Sequence, residues 1–158
     1  MTKDALQELF LSVEWESGKY PNELLQAIGG SHSIVTAWEG GKLVGLINAL
    51  SDGVLTVYFH YMLINPSYQS IGIGIGKEMM NIMLDRYKGC KTKVLISYPH
   101  AVNFYNKIGF NTEDGATPMF ILRVDMIKLM GHDSLIATRR QPIRGSAAVF
   151  IELKGQDN

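Results

Sequence analysis

A glycine-rich run near the middle of the chain connects a strand-like segment to a helix-like segment. The run extends from Tyr68 to Lys77, after the apolar residues 55–64 and before the amphipathic residues 77–87. The first turn of a helix leaves N–H groups unpaired, and glycine has no Cβ to keep an anion away from them. The order of strand, glycine-rich turn and helix therefore predicts a phosphate site made of backbone amides, which would hold a nucleotide-like cofactor.

The spacing of the glycines excludes two common phosphate motifs. A P-loop requires a glycine, four residues, and then Gly-Lys-Ser/Thr. Counting back from Gly76 and Lys77 places Ile71 at the first glycine, and Glu78 follows the lysine. The dinucleotide fingerprint requires glycines at its first, third and sixth positions, but a motif that starts at Gly72 has Lys77 at the sixth. Neither motif is present.

The spacing that fits is Gln-x-x-Gly-x-Gly, made by Gln69, Gly72 and Gly74. With it, the chain resembles the GNAT superfamily of acyl-CoA-dependent N-acetyltransferases, whose pyrophosphate loop carries Gln/Arg-x-x-Gly-x-Gly/Ala. The preceding residues 64–68, Ile-Asn-Pro-Ser-Tyr, are similar to the end of the family's strand. Residues 103–110, Asn-Phe-Tyr-Asn-Lys-Ile-Gly-Phe, resemble its Phe-Tyr-x-Lys-x-Gly-Phe helix end. A weaker similarity lies at 42–45.

The resemblance covers roughly residues 20–124 and implies an α/β (mixed α+β) fold, with a central mixed, mostly antiparallel sheet flanked by helices on both faces. We expect one GNAT-like domain over residues 1–158, with 125–158 as a divergent C-terminal extension. The family usually begins with a strand, whereas this chain opens on a helical pattern. Two alternatives follow: the first strand is missing, or the extension supplies an edge strand.

Residue patterns predict the individual elements. Helical spacing and Gly/Pro signals predict helices over 4–14, 22–28, 77–87 and 101–108, with Gly89 as a left-handed cap and a short helical turn at 126–130. Apolar runs between turn signals predict strands over 33–39, 42–48, 54–64, 93–97, 117–124 and 147–153.

Composition excludes several classes of protein. The chain has 158 residues, 15 basic and 15 acidic, without the clustered basic surplus of a nucleic-acid binder. No apolar run approaches the ~20 residues of a membrane span, and the N-terminus is amphipathic, unlike a signal peptide. Cys90 is the only cysteine, which favours a cytoplasmic location. We expect no metal, because the histidines lack ligand partners at metal-like spacing.

The resemblance implies acetyl-CoA as co-substrate and assigns residues to its site. Its pyrophosphate would lie on the backbone amides of residues 70–75, with the pantetheine along strand 60–64. The amides of residues 62–64 would polarise the thioester carbonyl. The implied contacts are Met62, Leu63, Ile64, Gln69, Ser70, Ile71, Gly72, Ile73, Gly74, Ile75, Gly76, Lys77, Asn103 and Tyr105.

Two residues are candidates for proton transfer. Tyr105 stands where many family members have the tyrosine that reprotonates the CoA thiolate. A phenol has a pKa of about 10 and a thiol one of about 8.5, so a neutral phenol near the sulfur can donate this proton. The strand over 54–64 contains no acid, so His60 is the candidate base. Alternation places Tyr58, His60 and Met62 on one face of the strand, unless a bulge intervenes. The acids at 14, 16 and 52 stay open as alternatives.

Each of these residues also has a structural interpretation: Tyr105 as a half-buried helix aromatic, and His60 as a satisfied histidine among aromatics. Trp38 is interpreted as a core residue, and Trp15 stays open as part of an acceptor pocket.

The implied function is transfer of an acetyl group from acetyl-CoA to a primary amine of a small molecule or peptide, by direct attack. The alternative is a non-catalytic acyl-CoA-binding or sensing module of the same fold, which the missing acid on strand 54–64 favours. Neither nucleic acid nor membrane is expected as a partner, and a homodimer through the C-terminal strand stays open. Specificity for the acceptor would lie in the divergent N- and C-terminal parts.

Overall fold

The computed structural model describes residues 1–69, 74–121 and 150–155. These residues fall into two compact units. Residues 1–97 and 150–155 belong to the first unit, and residues 98–121 to the second. Each unit is described by itself.

The first unit contains three α-helices and five strands. The helices are α1 (Lys3–Ser12), α2 (Pro21–Gly29) and α3 (Ile75–Arg86), with 3-10 helices at Glu16–Lys19 and Pro66–Tyr68. The strands are β1 (Ser33–Glu39), β2 (Lys42–Ser51), β3 (Thr56–Ile64), β4 (Thr92–Leu95) and β5 (Phe150–Gly155). The second unit contains a 3-10 helix at Pro99–Ala101 followed by α4 (Val102–Asn106).

Most predicted elements are confirmed with shifts of a few residues at their ends, and β1 has its predicted bounds. Three details differ. Of the strand predicted over 117–124, residues 117–121 form no strand. The remainder of that strand and the helical turn predicted at 126–130 lie outside the described residues. Gly89 does not have a positive φ, because α3 already ends at Arg86 with Tyr87 as its cap. The helix predicted over 101–108 is shorter.

The sheet has the order β4-β3-β2-β1-β5, in which every neighbouring pair is antiparallel except β3 and β4. This confirms a mixed, mostly antiparallel sheet. β5 comes from the C-terminal extension and pairs with β1, from Ser33 opposite Gly155 to Trp38 opposite Phe150. Of the two alternatives for the edge of the sheet, the extension therefore supplies the strand.

Helices cover both faces of the sheet. On one face, buried residues of α1 and α2 pack with Leu43, Leu46 and Leu63 of the sheet. On the other face α3 approaches so closely that a Cβ at Gly45 would lie 3.0 Å from both Ile64 Cδ1 and Met79 Sδ. β2 is covered on both sides, which explains the uninterrupted burial of residues 43–49.

The turn that leads into β3 is organised by one carboxylate. Asp52 Oδ1 accepts hydrogen bonds from the N–H groups of Val54, Leu55 and Thr56 at 2.9, 2.8 and 3.0 Å. These donors lower the pKa of Asp52, with Thr56 contributing most. The carboxylate of Asp52, one of the open candidates for a base, therefore has a structural role in the β2–β3 turn.

We predict that Asp52→Ala lowers the melting temperature, and that Asp52→Asn, which keeps an acceptor oxygen, lowers it less. Because the folded pKa is depressed, the stabilisation from the charge is present above the unfolded pKa of about 3.9 and is lost as the pH falls through the folded pKa. Thermal unfolding at several pH values should show the gap between wild type and Asp52→Asn closing in acid. A gap that is independent of pH would contradict this assignment.

Candidate functional site

β3 contains a bulge in its pairing with β2. Ile47 lies opposite Met62 and Ala49 opposite Phe59, so the two β3 residues between them, His60 and Tyr61, share the single β2 residue Asn48. An extra residue of this kind bends a strand and changes which side chains share a face. The predicted alternation of β3 therefore holds only up to the bulge.

Ring contacts locate the change of face. Phe59 packs edge-on against Tyr87, at the end of α3, with ring centroids 6.1 Å apart. Tyr61 packs edge-on against Phe10 of α1 at 4.9 Å, on the opposite face of the sheet. Residues two apart in a regular strand would share a face. Because Met62 lies between Tyr61 and Leu63, which both face α1, it lies on the α3 face and not with His60.

The pairing of β3 with its parallel neighbour β4 ends where the bulge begins. The β3–β4 ladder runs from Thr56 opposite Thr92 to Phe59 opposite Leu95, and it ends there. Among the described strands, residues 60–64 therefore pair with β2 alone. A strand segment whose neighbour has ended can pair with an extended ligand.

Two hydrogen bonds show which backbone groups face the side where β4 has ended. The N–H groups of Tyr61 and Asn65 both face β2, donating to Asn48 Oδ1 and to Val44 O at 2.8 Å each. Alternation then directs the N–H of Leu63 to β2 as well, and those of Met62 and Ile64 to the other side. Of the three amides of residues 62–64 predicted to polarise the thioester, those of Met62 and Ile64 therefore have the suitable direction, and the side chain of Leu63 is buried.

The segment that follows β3 is held by short-range hydrogen bonds. Asn65 Oδ1 accepts from the N–H of Ser67 at 3.1 Å, and Gln69 Nε2 donates to Ile64 O at 2.8 Å. The side chain of Gln69 therefore holds the end of β3. Tyr68 OH donates to Glu39 Oε2 at the end of β1, and this hydrogen bond raises the pKa of Tyr68.

α3 begins at a glycine whose conformation suits few other residues. Gly74 is the N-cap with φ 69°, in the left-handed region, and its carbonyl accepts from the N–H of Glu78 at 2.9 Å. Apart from its chain neighbours, no described atom lies within 4 Å of the position that a Cβ would take. The N–H groups of the first turn, which includes Ile75, Gly76 and the exposed Lys77, precede the first helical hydrogen bond.

This open N-terminus fits an anion. The four preceding loop residues of the predicted pyrophosphate site, Ser70, Ile71, Gly72 and Ile73, lie outside the described residues.

His60 lies at the bulge between two tyrosine rings. Its ring centroid is 5.6 Å from that of Tyr58 and 4.0 Å from that of Tyr61. Desolvation lowers the pKa of His60 below its ordinary value of 6.5. The imidazole is still exposed, so its neutral form can accept a proton from a molecule on this face.

The α1–α2 connection contributes neighbours on the same face. Tyr61 OH is 3.0 Å from Ser17 Oγ, and the Tyr61 ring packs edge-on against Trp15 at 5.5 Å. Glu16 pairs with Lys19 at 2.9 Å through Oε2, while its buried Oε1 has no hydrogen-bond partner among the described residues. Glu14, another acid that stays open as a base, is exposed and has a positive φ of 59°.

Trp38 is a core residue, as predicted. It packs against the α1–α2 cluster, and its Nε1 donates to Thr36 Oγ1 at 3.0 Å.

The second unit contains the other two candidates, both on α4. Asn103 is exposed, whereas Tyr105 is half-buried, with its ring 5.1 Å from Phe104 and 6.1 Å from Phe110. The chain reverses after α4 at Gly109, which has φ 99°, and the N–H of Phe110 donates back to Tyr105 O at 3.1 Å. Burial raises the pKa of Tyr105 above 10, so the phenol keeps its proton at neutral pH.

In the described ranges, every helix is too short or too polar to cross a bilayer. The same ranges contain no group of three His, Cys, Asp or Glu side chains arranged to hold a metal ion.

Comparison with known proteins identifies the class. Residues 7–128 match the family described as the acetyltransferase (GNAT) domain, and the chain belongs to this family. It is similar to an uncharacterized N-acetyltransferase, ycf52, of Gracilaria tenuistipitata var. liui, with 36% identity over 98 residues, 56% of this chain and 53% of that one. A ycf52-like N-acetyltransferase of Prochlorococcus marinus is 30% identical over 114 residues, 68% of this chain and 62% of the relative. The chain thus spans about half to three-fifths of the length of these curated relatives.

A solved structure supports the fold. A GNAT-family acetyltransferase of Streptococcus pneumoniae TIGR4 superposes with a TM-score of 0.67 at 29% identity, over 78% of this chain and 92% of that one.

Two residues of this site were not singled out from the sequence, Asn48 and Tyr61. Asn48 is the one amide in the apolar run from Leu43 to Leu50, and it is 2% exposed. A polar side chain in a buried strand requires hydrogen-bond partners, and that signal could have located it. Tyr61 could not be found in this way, because its face depends on the bulge.

We predict that the His60 imidazole titrates below the ordinary midpoint of about 6.5, because partial burial disfavours its charged form. Proton NMR of its ring measures this directly, with His60→Gln to assign the resonance. Between the lowered pKa and about 6.5 the unfolded chain binds more protons, so the free energy of unfolding should rise with pH more steeply in wild type than in His60→Gln. A midpoint at or above the ordinary value would contradict the environment described here.

Proposed function

We propose that this chain transfers an acetyl group from acetyl-CoA to a primary amine of a small molecule or peptide, in one direct step. The observation that carries the proposal is the course of β3. It loses its parallel neighbour after Phe59, continues unaccompanied by β4 over residues 60–64, and leads into the glycine-rich turn and the open N-terminus of α3. One end of this path suits an extended chain and the other end suits an anion.

The path supports an assignment of residues to the parts of acetyl-CoA. The amides of residues 70–75, with Gly76 and Lys77, would hold the pyrophosphate. The backbone of Met62 and Ile64 would hold the pantetheine and polarise the thioester carbonyl. Gln69 would act on Ile64 through its side chain, and the amide of Asn103 would bond the pantetheine.

His60 and Tyr105 would manage the protons. An acceptor ammonium, with a pKa of about 10.4, must lose a proton before its nitrogen can attack. His60 would take that proton, directly or through water. The neutral nitrogen forms a bond to the acetyl carbon and gives up its second proton to solvent, the carbon–sulfur bond breaks, and sulfur leaves with the electron pair. Tyr105 would then give its proton to the thiolate.

The acceptor would lie on the face of β3 that carries His60 and Tyr61, beside Trp15 and Ser17. This side is formed by the α1–α2 connection, which belongs to the N-terminal part of the chain. No metal takes part in the proposed reaction. A cytoplasmic location is in keeping with a single, free and buried cysteine, Cys90. A homodimer would form through β5, which lies at one end of the described sheet.

Gly74→Ala should weaken CoA binding at least about tenfold, since a Cβ at positive φ strains the cap that directs the first-turn amides. Calorimetry with CoA measures this. Gly40→Ala is the matched control, because Gly40 also has a positive φ of 53° and nothing within 4 Å of its Cβ position, but lies in the β1–β2 turn. Equal affinity for CoA in wild type and Gly74→Ala would contradict the proposed anion site.

The function itself is tested by thiol release from acetyl-CoA with a panel of primary amines. Tyr105→Phe should lower kcat by about 10²-fold or more with at least one amine, as expected for loss of a general acid. Tyr98→Phe removes a phenol hydroxyl from the same unit and should leave kcat unchanged. CoA binding without thiol release from any amine would contradict the enzyme and support the acyl-CoA-binding module.

A further inference from the structure

We propose that Asn48 is a positioning residue for acyl transfer, because its side chain holds the bulge of β3 in place. The proposal rests on the proposed function and assigns a role in it to a residue that need not touch either substrate. Three observations carry it: the hydrogen bonds of the amide, the support of that amide by α2, and the dependence of the site on the bulge.

The Asn48 side chain replaces a missing backbone partner. In a regular ladder the N–H of Tyr61 would donate to a β2 carbonyl, but the bulge displaces it. Asn48 Oδ1 accepts this N–H at 2.8 Å instead. Asn48 is 2% exposed, so water cannot readily substitute for its oxygen.

A second hydrogen bond fixes the orientation of the amide. Asn48 Nδ2 donates to Ser31 Oγ at 2.8 Å, and Ser31 Oγ donates in turn to Ala27 O of α2 at 3.4 Å. Because the hydroxyl of Ser31 accepts from Nδ2, the amide oxygen is directed at Tyr61. The bulge is thereby tied to the end of α2, on the face where the acceptor would bind.

The bulge decides what each residue of β3 can do. With it, His60 contacts the Tyr61 ring on the α1 face, and the backbone of Met62 and Ile64 faces away from β2. A shift of one residue in register would exchange the faces of all residues beyond it. Asn48 therefore sets the relative position of the proposed base and of the backbone groups proposed to polarise the thioester.

Two substitutions separate the hydrogen bond from the volume of the side chain. Asn48→Leu keeps a similar size and loses both hydrogen bonds, whereas Asn48→Asp keeps an oxygen for the N–H of Tyr61. Thr36→Val is the matched control: Thr36 is also a buried polar residue of the sheet, 5% exposed, but its hydroxyl bonds Trp38 and Glu152 on the far side from β3.

Asn48→Leu should lower kcat by about 10²-fold, the effect of displacing reacting groups by about 1 Å. Affinity for CoA should stay within about threefold, because most of CoA is held outside the bulge. Asn48→Asp should recover part of kcat, and Thr36→Val should leave both kcat and the affinity for CoA unchanged. An unchanged kcat in Asn48→Leu, or a loss of CoA affinity as large as the loss of kcat, would overturn the proposal.

A measurement without substrate keeps the inference separate from the proposed function. Hydrogen exchange followed by NMR should show the Tyr61 amide protected in wild type and Asn48→Asp, and exposed in Asn48→Leu. A Tyr61 amide that exchanges freely in wild type would overturn the role of Asn48 even if the enzyme is active. A wild type that binds CoA but releases no thiol would contradict the proposed function and leave the protected amide intact.

Discussion

The hydrogen bond from the backbone of Tyr61 to the side chain of Asn48 is the interaction on which the candidate site depends. Strands in a sheet normally satisfy each other through backbone groups alone, and every departure must find another partner. Here one buried amide accepts the N–H that the bulge displaces, at 2.8 Å. The first half of β3 pairs with β4 up to Phe59, and the bulge begins at the next residue. The ladder with β4 therefore ends inside a continuous strand, at Phe59.

The remainder of the first unit keeps both ends of that segment in place. Before the bulge, the Asp52 carboxylate holds the turn that begins β3. After it, Gln69 bonds the last carbonyl of the strand, and α3 follows within a few residues. α3 in turn packs closely on the sheet over Gly45. The end of β3 and α3 are thus both held by contacts within the first unit.

Local signals predicted what local chemistry controls. The hairpin glycines predicted the bounds of β1, and helical spacing predicted α3 with its start shifted by a few residues. The bulge could not be predicted, because it is defined by which residues of β2 and β3 face each other across the sheet. The apolar residues at 119–121 were predicted as a strand, yet these side chains are 90, 62 and 102% exposed and form none. β-propensity describes how well a residue fits a paired surface, so it cannot by itself specify a partner.

One physical cause shifts the pKa values of the two proton-transfer candidates, His60 and Tyr105, in opposite directions. Burial disfavours charge, so it lowers the pKa of His60 and raises that of Tyr105. Near neutral pH the imidazole therefore lacks its proton and the phenol keeps its own. These are the states that a base and an acid require before a reaction starts. β3 contains no acid, and in the proposed reaction a neutral imidazole at the bulge would take the proton that a carboxylate would otherwise accept.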